Sequence, residues 1–303
     1  MSGGRAVGSG MLGRVITMRR YAGPEDLRAM QSLTERVWTL GTYCHIGDQA
    51  WERTHIGGRE AEWPTAIWED GGQVVAWGWT FLPGGLHFLV DPARPELADE
   101  VLRWFDTVAE TDERSITLLD KETHLRAALE RQGYRLGDST VHNDYMRRSL
   151  HDLPEPVVPQ GFRVRHIEPG DLSRRVAVHH AAWEPSRVTE DSYRAAMETW
   201  PYRSTLDWAA EAEDGTFVAS CLIWLDGRNR VGLIEPVGAD PRFRRRGLAR
   251  AVCLAALGAV RDAGADQAIV YPVRGLAKAA AAAPLYENLG FSSYARTLTY
   301  VRR

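Results

Sequence analysis

Two runs of matching element order flank a short segment with three prolines, HDLPEPVVPQ at 151–160, and this repeat limits the possible folds more than any other feature. Proline removes a backbone donor and disfavours helix around itself, so the segment reads as a linker. Before it, alternating apolar strings fall at 14–21, 65–70, 73–81, 86–90, 115–119 and 141–147, with helical patterns at 24–40, 95–110 and 122–132. After it, strand-like runs fall at 163–167, 206–212, 216–225, 231–238, 267–273 and 293–301, with helical runs at 171–182, 190–199, 246–263 and 276–288. Each half closes its last helix in the same way, LERQGYRL (129–136) and YENLGFSSY (286–294). Glycine follows the last helical residue, as a left-handed cap requires, and an aromatic opens the next strand. A repeat on this scale predicts two similar α/β domains. The expected division is a tail at 1–13, a first domain at 14–150, the linker at 151–160 and a second domain at 161–303.

Composition narrows the function classes. With 44% hydrophobic and 25% charged residues, the chain has the balance of a soluble globular protein rather than a disordered one. No apolar run reaches the length of a membrane span, so no membrane partner is expected. The first 22 residues lack the apolar stretch of a secretory signal. Cys44, Cys221 and Cys253 form no CxxC pair and have no histidine at metal-ligand spacing, which predicts a reducing, cytoplasmic setting and no metal site. The net charge of −3 gives no general attraction to nucleic acid. Residues 1–150 hold 17 basic against 22 acidic side chains and the remainder 20 against 18, so an anion would be drawn to the second half.

The sharpest local signal is IEPVGADPRFRRRGLARAVCLAALGAVRDAGA at 234–265, a strand, a basic loop and a long apolar helix. Arg244, Arg245 and Arg246 stand where that helix begins. The positive end of a helix dipole favours acids by about 0.3–1 kcal/mol each, so these cations are misplaced unless an anion binds there. Exposed backbone N–H groups and the close approach allowed by Gly247 would make a phosphate cradle. The corresponding stretch of the first half, LVDPARPELADEVLRW (89–104), has no such glycine and carries Glu96, Asp99 and Glu100 at its helix start. That arrangement satisfies an unliganded helix and repels a pyrophosphate.

Arg244, Gly247 and Ala249 form R-x-x-G-x-A, which resembles the pyrophosphate loop of the GNAT superfamily of N-acetyltransferases. The segment APLYENLGF (283–291) resembles the closing helix of that family, and the element order is similar across the whole second half. The first half is similar in architecture only, as in tandem members of the superfamily. The chain departs from the family pattern at Ala279, where the family often has asparagine, and at Pro284 inside the closing helix. The resemblance implies two tandem GNAT-like domains, each a mixed, mostly antiparallel sheet flanked by helices, with the second catalytic and the first degenerate. It implies acetyl-CoA as cosubstrate, with no metal, and direct transfer of the acetyl group to a primary amine of a small-molecule acceptor in a ternary complex. The implied protein is a monomer or homodimer. A non-catalytic acyl-CoA sensor with the same fold is the alternative.

By the same resemblance the backbone of Val237, Gly238 and Ala239 holds the pantetheine. Arg244, Arg245, Arg246, Gly247, Leu248, Ala249 and Arg250 surround the pyrophosphate. Tyr286 matches the tyrosine that protonates the departing thiolate, although an ordinary packing role would also suit it. Glu235 sits in an otherwise apolar strand, where a carboxylate should have a raised pKa suited to proton abstraction. Anchoring a substrate ammonium, or pairing with an arginine, would explain it equally. Strand alternation puts Glu235, Val237 and Ala239 on one face.

Overall fold

The alternating strings of the first half fold as β1 (Ile16–Arg20), β2 (Thr65–Asp70), β3 (Gln73–Phe81), β4 (Gly85–Val90), β5 (Arg114–Leu119), β6 (Arg135–Leu136) and β7 (His142–Ser149). Between them lie α1 (Pro24–Val37), α2 (Ile46–Thr54), α3 (Leu97–Val108) and α4 (Thr123–Arg131). The second half gives β8 (Phe162–His166), α5 (Leu172–Ala182), α6 (Glu190–Glu198), β9 (Asp207–Ala212), β10 (Phe217–Asp226) and β11 (Val231–Ala239). It continues with α7 (Leu248–Asp262), β12 (Gln267–Val270), β13 (Val273–Arg274), α8 (Ala282–Asn288) and β14 (Ser292–Arg302). This computed structural model describes residues 16–303, so the tail expected at 1–13 lies outside the described residues.

The expected fold class is borne out. In each half the strands run antiparallel except for one parallel pair, β4 with β5 and β11 with β12. The halves join in one sheet of order β1-β2-β3-β4-β5-β14-β7-β12-β11-β10-β9-β8. The strands that end the two halves have changed places in it. β7, from the first half, pairs with β12 over Met146–Ser149, whereas β14, from the chain's end, pairs with β5 over Thr297–Arg302. Tyr300 of β14 is accordingly 3% exposed and sits in the first-half core with Leu118, Phe105 and Tyr134.

Other ties cross between the halves. Gln31 donates to the Trp200 carbonyl (2.9 Å), Ser192 to that of His55 (2.9 Å), and Asn229 to that of Glu35 (2.9 Å). Helix α2 is an element that apolar periodicity gave no sign of. Its start is fixed by a reciprocal cap, in which Gly47 N–H donates to His45 Nδ1 (3.0 Å) and His45 N–H donates to Asp48 (2.6 Å). The helix leaves the first half and packs Ala50 and Trp51 against Val176, Tyr193, Trp224 and Leu233 of the second.

The exchange predicts that a cavity cut near the C-terminus unfolds the N-terminal sheet. Tyr300→Ala should cost about 3 kcal/mol, a usual loss for removing a buried aromatic. Hydrogen exchange should then find faster amides in Arg114–Leu119 than in β9 or β10; the reverse pattern would contradict the pairing.

Candidate active site

Strand β11 carries most of the expected site, and its geometry is set by two irregularities. Opposite β10 the register runs Cys221 with Val237 and then Ile223 with Ile234, so Glu235 and Pro236 together face Leu222. This bulge reverses the alternation. Val231 and Leu233 point toward α2 and α6, and Glu235 follows them; Val237 and Ala239 pack with the α7 core. The single face expected for Glu235, Val237 and Ala239 is therefore not what forms, because the extra residue flips every side chain after it. The second irregularity is on the other edge. β12 pairs with β11 only through Leu233, so Ile234 onward has no strand partner on that side.

Gly238 lies where α5 ends, and a Cβ on it would stand 2.4 Å from that of Ala182. Glycine lets the helix end rest on the strand. Beyond β11, Asp240 turns the chain by accepting from the Arg242 backbone (2.9 Å) and pairing with its guanidinium (2.6 Å). Arg245 and Gly247 then take positive φ, 61° and 83°, and Gly247 caps α7 without a side-chain hydrogen bond. No acid lies in the first turn of α7. Arg244, Arg245, Arg246 and Gly247 are exposed, and Ala249 and Arg250 half-buried, while Leu248 anchors the turn in the core. Among the described residues none of these four arginines forms an ion pair, and Arg250 together with burial holds Arg148 below the usual guanidinium range. The first-half counterpart is the opposite. At α3, Asp99 takes Arg131 (2.7 Å) and Gln132 (3.0 Å), and Arg94 is held by Asp70 and Glu96. Helix α3 is neutralised by its own chain; α7 starts without a side-chain cap, and its arginines make no ion pair among the described residues.

Pro284 falls in the first turn of α8, where its missing N–H costs nothing. The helix begins afresh at Ala282, which carries Tyr286 into the core with Cys221, Cys253 and Phe291, 7% exposed. Burial first, then the two thiols and Glu235, pushes its phenol well above the ordinary range, so it keeps its proton. Tyr286 is thus on the α7 side of the sheet, and Glu235 on the α2 side, near enough for the carboxyl to act on the phenol.

The residues that sequence reasoning missed come from the first half. Gly47 of α2 presses on Trp224 so closely that a Cβ would lie 2.4 Å from that ring's Cβ, and Trp224 Nε1 donates to the Glu235 carbonyl (2.7 Å). This contact seats Asp48 and Glu52 over Glu235. Burial is the largest influence on all three carboxyls and raises them; Asp48 is pushed to about 7, and Glu235 is raised well beyond the carboxylate range, with Asp48 and Glu52 adding like charge. Tyr271 stacks on Tyr145 at 3.8 Å, and its hydroxyl is buried without a hydrogen-bond partner among the described residues. His179 is held down to about 3 by burial and by Arg175, a neutral core histidine beside Trp51. The cue for α2 was present in the sequence as His45-x-x-Asp48 followed by Ala50 and Trp51.

Known proteins match this architecture. Residues 175–291 fit the Acetyltransferase (GNAT) family. The mycothiol acetyltransferase of Thermobispora bispora is 33% identical over 168 residues, 52% of this chain and 56% of that protein. The chain thus spans about half the length of the curated relatives it matches. Among solved structures, a GCN5-related N-acetyltransferase from Sphaerobacter thermophilus is similar with a TM-score of 0.59 at 18% identity over 95% of both chains. A tandem GNAT protein from the clavulanic acid biosynthesis pathway gives 0.61 at 15% identity, over 95% of this chain and 98% of that one. Residues 175–291 therefore resemble the GNAT acetyltransferases, and the whole chain shares the fold of these structures; no helix among the described residues is long and apolar enough to cross a membrane.

The fit of α2 on the sheet is open to test. Gly47→Ala should destabilise the protein by about 1–3 kcal/mol through overpacking against Trp224. Gly258→Ala, in α7 with open space beside it, should be neutral or stabilising by up to about 1 kcal/mol. Equal urea midpoints for the two variants would mean that α2 is not seated by this contact.

Proposed function

We propose that this chain is a tandem GNAT acetyltransferase that moves an acetyl group from acetyl-CoA to a primary amine of a small-molecule acceptor, by direct transfer in a ternary complex. The observation that carries the reading is the start of α7: uncapped N–H groups, positive φ at Arg245 and Gly247, and, next to β11, four arginines with no ion pair among the described residues. In this reading 161–303 is the catalytic unit, 14–150 is a first unit whose own phosphate loop has been lost, and 151–160 links them. The relatives named for mycothiol make a small soluble acceptor the natural class, without naming the amine.

Acetyl-CoA, when bound, supplies the thioester. Arg244, Arg245, Arg246 and Arg250, with the backbone of Gly247, Leu248 and Ala249, neutralise and hold its pyrophosphate. The unpaired edge of Val237, Gly238 and Ala239 offers amide groups to the pantetheine. The amine nitrogen bonds to the thioester carbonyl carbon and the carbon–sulfur bond breaks. Glu235 takes the amine proton, directly or through a water, and Tyr286 gives its phenolic proton to the thiolate. A carboxyl raised by burial suits the first task, and a phenol kept protonated by burial suits the second. Oligomeric state stands as monomer or homodimer.

Gly247→Asp puts a carboxylate at the helix start in a backbone conformation that disfavours a side chain. Calorimetry should find CoA affinity reduced by on the order of 100-fold, about 2.7 kcal/mol, with the circular dichroism spectrum unchanged; wild-type affinity in the folded variant would sink the loop assignment.

Tyr286→Phe and Glu235→Gln should each lower kcat on the order of 100-fold with little change in the KM for acetyl-CoA, the signature of groups needed in the transition state. Thiol release from acetyl-CoA over a panel of primary amines is the measurement. Tight CoA binding with no turnover on any amine would favour the sensor instead.

A further inference from the structure

The assigned roles leave unused a group that the fold takes trouble to place. Asp48 is the third residue of α2, its carboxylate accepting the His45 N–H at 2.6 Å, and the helix is clamped on β10 and β11 by Gly47 against Trp224. Trp224 in turn holds the Glu235 backbone at 2.7 Å. The result is a carboxyl from the first half within hydrogen-bonding reach of the carboxyl of Glu235. Two neighbouring carboxyls withdrawn from water resist ionising together, so the pair favours holding one proton.

The surroundings supply no other neutralisation. Glu52 faces the pair from α2, Tyr43 and Cys44 from the segment before it, and Tyr145 from β7. Tyr271 faces it from beyond β12, Tyr294 from β14, and Tyr286 acts on Glu235 from α8. His55 and Arg59 act on Glu52, and among the described residues no lysine or arginine makes an ion pair with Asp48, Glu52 or Glu235.

We propose that Asp48, carried by the first half, is the proton partner of Glu235: the two carboxyls share one proton in the resting enzyme, and Asp48 receives it as Glu235 takes a proton from the acceptor amine. The balance is simple. The amine N–H bond breaks and its proton goes to Glu235; the Glu235 proton passes to Asp48; the pair ends with two protons and no charge. Asp48 is a positioning residue that acts through Glu235, and the first half completes the catalytic site rather than merely accompanying it. The inference rests on Glu235 being the base.

Infrared difference spectra of the full chain, without acceptor and across pH, read the pair independently of catalysis. The wild type should keep a protonated-carboxyl band into the alkaline range. Glu235→Gln should remove it. Asp48→Asn should make it titrate at least about one pH unit lower, because the like charge and the hydrogen bond of Asp48 both raise Glu235. Asparagine keeps an acceptor for the His45 N–H; Asp48→Ser does the same and serves if the first variant does not fold. A band unmoved in both Asp48 variants overturns the pairing.

Kinetics then separate the readings. The relay requires Asp48 ionised, so wild-type kcat/KM should rise with pH through about 7, the value to which burial pushes Asp48, and fall toward acid. In Asp48→Asn that limb should vanish and kcat should drop at least about tenfold, with the KM for acetyl-CoA unchanged. Inactive Glu235→Gln beside fully active Asp48→Asn would refute the relay alone. Wild-type kcat in Glu235→Gln would refute Glu235 as the base, and the relay with it.

Discussion

The pairing of β14 with β5 and of β7 with β12 is the constraint on which the rest of the molecule depends. An edge strand leaves a row of donors and acceptors unpaired, and each half ends its sheet with such an edge. Here each edge is closed by the other half's final strand, so neither sheet is complete alone. Backbone hydrogen bonds specify register as well as proximity. Once Thr297 lies opposite Leu119 and Gln267 opposite Ser149, the faces of the two halves hold a fixed relation. That relation brings α2 onto β10 and β11, where a glycine against an indole sets its height.

The helix delivers carboxyls to a place where carboxylates are expensive. Burying an ionised carboxylate without a partner costs far more than a hydrogen bond returns, and real sites respond by keeping a proton. The same chain contains the other solution. Arg175 and Asp207, both 0% exposed, pair at 2.9 Å, and the hydroxyls of Tyr193 (2.5 Å) and Tyr202 (3.3 Å) also donate to Asp207. That group is neutralised and structural. Asp48 and Glu235 have tyrosines and a thiol around them and, among the described residues, no ion pair, while His55 and Arg59 act on Glu52. Their raised proton affinity is the expression of this difference, and it is what suits the site to accept protons near neutral pH.

The two helix starts after β4 and β11 make the division of labour between the halves visible as charge placement. At α3, acids occupy the positive end of the dipole and are themselves held by Arg131, Gln132 and Arg94. At α7 the acids are absent, the cations unpaired and the cap a glycine. One framework therefore serves two ends. The first half keeps the geometry and lends α2; the proposed anion site lies in the second.

The sequence by itself determined the local events. Apolar alternation, the proline segment and the paired glycine-aromatic helix ends were enough for the fold class, and the misplaced arginines before Gly247 were enough to single out the start of α7, because dipole and capping chemistry act within one turn. Glu235 was visible for the same reason, as a lone acid in an apolar strand. Tertiary structure alone decided what alternation could not. The bulge at Glu235 and Pro236 turns Val237 and Ala239 to the opposite face, and only the register with Cys221 and Ile223 specifies it. The exchange of β7 and β14 left no mark, since either strand offers the same backbone groups and a similar pattern to either edge. The cap at His45 and Asp48 was readable, but its place beside Glu235 was not. Hydrogen bonds within a turn are written in neighbouring residues, whereas a contact between positions 48 and 235 exists only after two sheets have paired.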